Sequence, residues 1–156
     1  MSGNGRPFLF VYGSMAVAIK LLKSGEEDVL AHVAADVFDN EVDPKLAREF
    51  LAAPHCHIAV AIDGGVVVGF ASGVDYVHPD KPRELFINEV GTASTHRGRG
   101  IAKQVVQALL DRGRERGCVL AWVLTDRDNA AARALYEGTG AKLMPGNTLH
   151  YEFKLD

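Results

Sequence analysis

The feature that most constrains this chain is the junction across residues 85–116, where LFINEVG runs into TASTHRGRG and then into IAKQVVQALLDRGRER. The first piece, rich in Phe, Ile and Val, reads as a buried strand; the last reads as an amphipathic helix. Between them lies a polar, glycine-containing turn that places Arg97, Gly98, Arg99, Gly100 and Ala102 where the helix begins. The first amides of a helix have no partner inside it, and the macrodipole there is positive, so such a turn can hold an anion such as a pyrophosphate. Glu89 stands on the strand just before it. An anion cradle beside an acid is the first indication of chemistry.

Composition narrows the classes. A chain of 156 residues, 47% hydrophobic and 24% charged, suits one soluble globular domain. A net charge of −3 with a pI near 6.1 argues against general nucleic-acid binding. Charged residues interrupt every apolar run before it reaches the length of a membrane span, and the N-terminus lacks the pattern of a signal peptide. Cys56 and Cys118 make no disulfide framework and suggest a reducing, cytoplasmic setting.

Residues 1–14, with a short strand over 8–12, read as an extension or an expression remnant; Met15 is an alternative start, and 15–156 reads as a single domain. A first core strand is expected over 16–22. Ser24 and Glu27 suggest a capping box opening a helix over 26–38, with Val29, Leu30, Val33, Val37 and Phe38 at helical spacing. A second helix is expected over 44–52, with Asp43 as N-cap and Pro44 at its first position. Asp63-Gly64-Gly65 marks a hairpin between strands over 57–62 and 66–76, and Gly69 and Gly73 mark bulges or close approaches. HPDKPR, 78–83, reads as a loop. Strands are expected over 118–125 and 149–155, the latter from its alternation. Between them a helix starts at Asp128 or Asn129 and ends near Thr139, with Gly140 closing it. The order is a mixed α/β arrangement around one sheet.

HRGRGIA carries a resemblance. With Arg97, Gly100 and Ala102 it resembles the Q/R-x-x-G-x-G/A loop by which the GNAT superfamily of N-acetyltransferases holds acetyl-CoA. NAAARALYEGTGA is similar to a later segment of that superfamily, with Asn129, Ala132, Tyr136 and Gly140 at matching spacing and Ala141 in place of the usual aromatic. The resemblance covers about residues 16–155. It implies a GNAT fold: a central mixed, mostly antiparallel sheet flanked by helices, with acetyl-CoA bound where the central strands splay. DVFDNEVD, HPDKPRE and NEVGTASTHRGRG are further similar to type I aminoglycoside 3-N-acetyltransferases, which implies a polycationic acceptor and resistance as the outcome. Homodimers are common in the superfamily, and one is carried here as an expectation.

Acetyl transfer to an amine needs a held thioester, a neutral amine, a stabilised oxyanion and a proton for the leaving thiolate. Residues 97–102, including Ile101, supply the cradle through their amides; the alternative for Arg99 is a solvated surface residue. Gly98 and Gly100 keep side chains away from the phosphates. Glu89 is the candidate base, directly or through a water, the alternative being a strand carboxylate paired with a nearby Arg or Lys. The resemblance implies a bulge near Val90 and Gly91, whose amides would polarise the thioester; Thr92 completes that cofactor wall. Tyr136 is the candidate acid for the thiolate, or else a tyrosine packed on the core face of its helix. Asn129 is a cofactor-contacting amide, an N-cap, or both, with Ala132 beside it.

Asp36, Asp39, Glu41 and Asp43 carry no basic residue among them. The first three, extended by Asp75 and Glu84, form a candidate acidic rim for a cationic acceptor, against the alternative of a solvated face. His55-Cys56-His57 lacks the spacing of a metal site, and no metal is expected. Three readings stay open: an aminoglycoside acetyltransferase; the same chemistry on a polyamine, an amino acid or a peptide amine; and a non-catalytic acetyl-CoA-binding module, which would need neither Glu89 nor Tyr136.

Overall fold

The computed structural model describes residues 17–156; the strand over 8–12, the alternative start at Met15 and the first residue of the strand over 16–22 fall outside them. Five strands form one sheet in chain order: β1 (Ala18–Leu21), β2 (Cys56–Asp63), β3 (Val66–His78), β4 (Lys81–Thr92) and β5 (Leu120–Val123). The first four are antiparallel neighbours, and β5 runs parallel to β4. The helices are α1 (Pro44–Ala52), α2 (Ile101–Glu115) and α3 (Ala130–Gly138).

Local chemistry sets most of these boundaries. The Asp43 carboxylate accepts from the Lys45 and Leu46 amides, so α1 starts at Pro44, where a missing N–H costs nothing. Gly64 and Gly65 form a two-residue hairpin turn with φ of 56° and 81°, a left-handed pair that matches the twist of the strands. Asn129 accepts from the Ala132 amide and starts α3, and Gly140, at φ 101°, ends it.

Three expectations are corrected. Residues 26–38 are not a helix. A 3₁₀ turn covers Glu27–Ala31, then the chain extends beside β3, bridging Val33 to Val67. The Val67 amide donates to the His32 carbonyl, and the Ala34 amide to the Val67 carbonyl, at 2.8 and 2.9 Å. The apolar residues spaced for a helix are used to lay this segment on the sheet, and Glu26, not Ser24, satisfies the nearby amide of Lys23. HPDKPR is not a loop: β3 and β4 run on to pair His78 with Lys81, leaving a tight turn at Pro79 and Asp80. The ladder shifts register there, which accommodates Pro82, a residue without an N–H. Finally, residues 149–155 form no strand; 142–156 is irregular and exposed.

The core lies between the sheet and its covering elements. Phe70, Leu85, Leu109, Val60 and Val105 are fully buried. Gly69, Gly73 and Gly113 let α2 and β4 come close: a Cβ on Gly73 would sit 2.5 Å from the Phe86 carbonyl oxygen, and one on Gly69 2.8 Å from Ile101. Leu109 packs over Gly73 and Leu85 beneath Gly113, so β3 residues 69, 71, 73 and 75 face α2. Phe70 points the other way and stacks on Phe38 at 4.0 Å. The 32–39 segment therefore covers the face opposite α2.

Candidate active site

The site arises from two irregularities in β4. The first is a bulge. Ser72 pairs with Glu89 and Gly73 with Ile87, so Asn88 is an extra residue on β4. Without it Glu89 would share the α2 face with Ile87; with it, Glu89 shares the face of Ser72 and Phe70. The expected bulge at Val90–Gly91 is thus two to three residues early. Gly91 is required for a different reason: a Cβ there would collide with the Val37 carbonyl oxygen and lie 2.9 Å from the Phe70 ring.

The second irregularity is the end of pairing with β5. Residues 84–87 of β4 pair with Leu120–Val123, and beyond Ile87–Val123 the two strands part. Among the described residues, 88–92 has no β5 partner, so its backbone groups on that edge are open. A cavity of about 200 Å³ begins at this parting, on the α2 side, lined by Ile87, Val106, Val123 and Tyr136 among others. Tyr136 and Glu89 thus stand on opposite faces of the sheet at the place where it opens.

On the Glu89 side, the 36–43 segment closes in. Phe38 stacks on Phe70, and the Ser94 amide donates to the Asp36 carboxylate at 2.9 Å. These two anchors bring Asp39 close to Glu89. Partial burial, and then the Asp39 charge and hydrogen bond, push the Glu89 carboxyl above its ordinary range, although the residue remains open to solvent. The Ser94 hydrogen bond holds Asp36 below its range. Burial pushes the Tyr136 hydroxyl up, so it is a protonated donor at neutral pH.

The 97–102 turn has the form a phosphate cradle requires. Gly98 and Gly100 both have φ of 74°, the left-handed region that disfavours side chains, and the space where a Cβ would stand is open. Gly100 is the N-cap of α2 without a side-chain cap, and the first in-helix bond runs from the Gln104 amide, leaving the preceding amides free. Arg97 and Arg99 are exposed beside them. Thr92 contributes a buried hydroxyl with no partner. Ile101 serves differently from expectation: its side chain is core, 2% exposed, and only its amide faces the turn. Asn129 spends its carbonyl oxygen on the Ala132 amide, so that oxygen caps α3. These groups are of the kind that could hold a pyrophosphate-bearing cofactor.

The expected acidic rim is only partly assembled. Glu41 is exposed near Asp39 in sequence. Asp75 is not on the rim: it is 2% exposed on the α2 face, bonded to His57 at 2.5 Å, Arg116 at 2.8 Å and Arg83. Glu84 lies about 13 Å along the strand from Glu89, four residues away by register. It accepts from the Tyr76 hydroxyl, which accepts in turn from the Trp122 indole. His57 is part of the Asp75 cage, with Arg112 donating to its other ring nitrogen. No group of His, Cys, Asp and Glu among the described residues could hold a metal, and no helix among them is long and apolar enough to cross a membrane.

Sequence reading missed His96, which positions the turn. Its Nε2 donates to the Asp63 carboxylate at 2.7 Å and its Nδ1 pairs with the Thr95 hydroxyl, pinning the turn to the β2–β3 hairpin. A 33-residue separation leaves no local signal for that contact.

Comparison with known proteins agrees with this geometry. The model of the acetyltransferase (GNAT) family matches residues 27–141. The L-2,4-diaminobutyric acid acetyltransferase of Streptomyces coelicolor is 43% identical over 102 residues, covering 62% of this chain and 56% of that protein. The chain thus spans little more than half the length of that relative. The N-alpha-acetyltransferase RimI of Mycobacterium tuberculosis is 34% identical over 126 residues, 80% of this chain and 77% of that protein. An aminoglycoside N-acetyltransferase solved in complex with CoA superposes with a TM-score of 0.67 at 19% identity, over 88% of this chain and 95% of that one, a likeness of fold. The finer resemblance to aminoglycoside 3-N-acetyltransferases is not carried by these sequence relatives. Acetyl-CoA is the donor that enzymes of this family use, and the chain belongs to the GNAT acetyltransferase family.

Proposed function

We propose that this chain transfers the acetyl group of acetyl-CoA to a primary amine of a small acceptor that carries a second amino group. Diamino acids are the simplest such acceptors and aminoglycosides the larger ones. The observation that carries the reading is the position of Glu89, which the Asn88 bulge sets just beyond the parting of β4 and β5, with the acid Asp39 near it. Two carboxyl groups side by side give one to deprotonate the reacting amine and another to hold a neighbouring ammonium. The diaminobutyrate acetyltransferase relative supports an acceptor of this kind.

Acetyl-CoA supplies the acetyl group as a thioester. Glu89 takes a proton from the acceptor ammonium, freeing the lone pair that attacks the carbonyl carbon. Amides on the open edge of residues 88–92 stabilise the oxygen as it gains charge. As the C–N bond forms and the C–S bond breaks, the Tyr136 hydroxyl gives its proton to the departing sulfur; the acylated nitrogen loses its second proton to solvent, which also reprotonates Tyr136 and takes up the proton held by Glu89. Neither Cys56 nor Cys118 serves as a nucleophile: burial pushes both thiols up, away from the reactive thiolate. Transfer is direct, without an acetyl-enzyme.

The second reading, a peptide N-terminus, draws on the RimI relative and its larger share of both chains. A thiol-release assay with acetyl-CoA against L-2,4-diaminobutyrate, aminoglycosides, polyamines, mono-amino acids and peptides separates the two. Turnover is expected on acceptors with two amines; turnover on peptides alone would replace the diamine reading with the peptide one.

A further inference from the structure

Asp36 belongs to the segment on the acceptor side but is bound to the donor side. Its carboxylate accepts from the Ser94 amide at 2.9 Å, across 58 residues of chain. Ser94 opens the one-turn 3₁₀ helix Ser94–His96, which leads directly into the glycine turn at 97–102. The Ser94 hydroxyl and the Arg97 charge favour the same Asp36 anion. The three residues that follow Asp36 each reach a different part of the acceptor side. The Val37 carbonyl packs on Gly91 of β4, the Phe38 ring stacks on Phe70 of β3 at 4.0 Å, and Asp39 comes close to Glu89. Residues 36–39 form no helix or strand, so these contacts set their position. Among the described residues, the Asp36–Ser94 bond is the one hydrogen bond that ties 32–43 to 93–102.

We propose that Asp36 is a positioning residue that joins the two halves of the site, so that filling the 97–102 turn with cofactor fixes Asp39 beside Glu89. The inference rests on the reading of this opening of the sheet as the transfer site. A pyrophosphate held by the turn amides restrains the residues just before them, and Ser94 stands at the head of those residues. His96 is already pinned to Asp63 at 2.7 Å, which leaves 94–96 little freedom to absorb that restraint alone. The Asp36 carboxylate passes it to a segment whose next three residues reach β4, β3 and Glu89. By linkage the coupling runs both ways, and an ordered 36–39 favours the turn geometry that takes the cofactor. A carboxylate that only capped the 3₁₀ helix would add stability without joining the two sites.

Amide exchange of the full chain, followed residue by residue by NMR with and without saturating CoA, tests this in the absence of any acceptor. In the wild type, CoA is expected to slow exchange at 97–104 and also at 37–41, the latter by about 5–150-fold, the usual span of coupling between two sites. Asp36→Ala removes the acceptor of the bond. Ser94→Pro removes its donor at the first position of a helical turn, after Ala93, whose φ of −54° and ψ of 139° suit the residue before a proline. In both variants CoA should still protect 97–104 but no longer 37–41. Protection of 37–41 retained in either variant overturns the proposal, as does its absence in a wild type whose turn is protected. Loss of protection at 97–104 in both variants overturns it too, because the bond would then shape the cradle instead of joining it to 36–39. A wild type unprotected at 97–104 overturns the cradle and this inference together. A wrong acceptor reading leaves all these outcomes unchanged, since only CoA is added.

Discussion

Asp75 and Glu89 are acids on neighbouring strands, and the sheet treats them in opposite ways. Asp75 points into the α2 face, where β4 and β5 are still paired, and is enclosed by His57, Arg83 and Arg116. Burial opposes its charge, but the hydrogen bonds from Arg116, His57 and Arg83 outweigh it and hold the carboxyl far below the ordinary range. Glu89 points to the other face, beyond the end of β5 pairing, with another acid for a neighbour and its carboxyl pushed up. One acid is held as a shielded anion; the other is exposed, with its carboxyl pushed above the ordinary range. A single extra residue, Asn88, separates those two fates by setting which face Glu89 joins.

The sharpest way to break the comparison is to neutralise each acid in turn. Glu89→Gln should lower kcat by about 10²–10⁴, within the reach of general-base catalysis, with acetyl-CoA binding and thermal stability kept. Steady-state kinetics beside calorimetric titration with CoA would check it; near-normal turnover would remove the base. Asp75→Asn should do the reverse. Leaving two arginines without their anion costs about 3–5 kcal/mol of stability, read by denaturant unfolding, while the folded protein keeps its KM.

The same cage sets a pH dependence of stability. Burial holds the folded His57 pKa below its usual value, so between the two values the unfolded chain binds a proton that the folded one does not. Stability should therefore decline as pH falls below about 6.5, and decline further below about 4 as Asp75 begins to differ. His57→Gln, measured by the same unfolding series, should flatten the upper part of that decline. An equally steep slope in the variant would assign it to another group.

Two smaller effects test the donor side. Tyr136→Phe should lower kcat about 10²-fold, with less effect on KM for acetyl-CoA, since it removes a proton and leaves the packing. Gly100→Ala places a Cβ at φ 74°, a strain of roughly 1–2 kcal/mol. It should appear as about a tenfold rise in the KM for acetyl-CoA, and an unchanged KM would mean that the turn does not hold the cofactor.

Much of this arrangement was legible in residue order because its causes are local. Asp43 before Pro44, the Gly64-Gly65 pair, the glycines of the 97–102 turn and the Asn129 cap act within a few residues of themselves. The illegible parts depend on partners far along the chain. Residues 26–38 carry helical spacing, but two backbone hydrogen bonds to Val67 draw them out along β3. The Asn88 bulge depends on the register with Ser72 and Gly73 and has no composition of its own. Asp75 looked like a rim acid because nothing near it in sequence announces Arg116, 41 residues on. Alternation over 149–155 was readable, but alternation says only that a segment can be a strand, not which sheet receives it.

The central claim is that Glu89 is the base and that Asp39 tunes it. The pH dependence of kcat/KM for acetyl transfer to L-2,4-diaminobutyrate, in the wild type and in Asp39→Asn, tests both halves together. The wild-type rate should rise with pH through an acid limb above the ordinary carboxylate range. Removing the Asp39 charge should move that limb to lower pH. An acid limb at the same pH in both proteins would contradict the account.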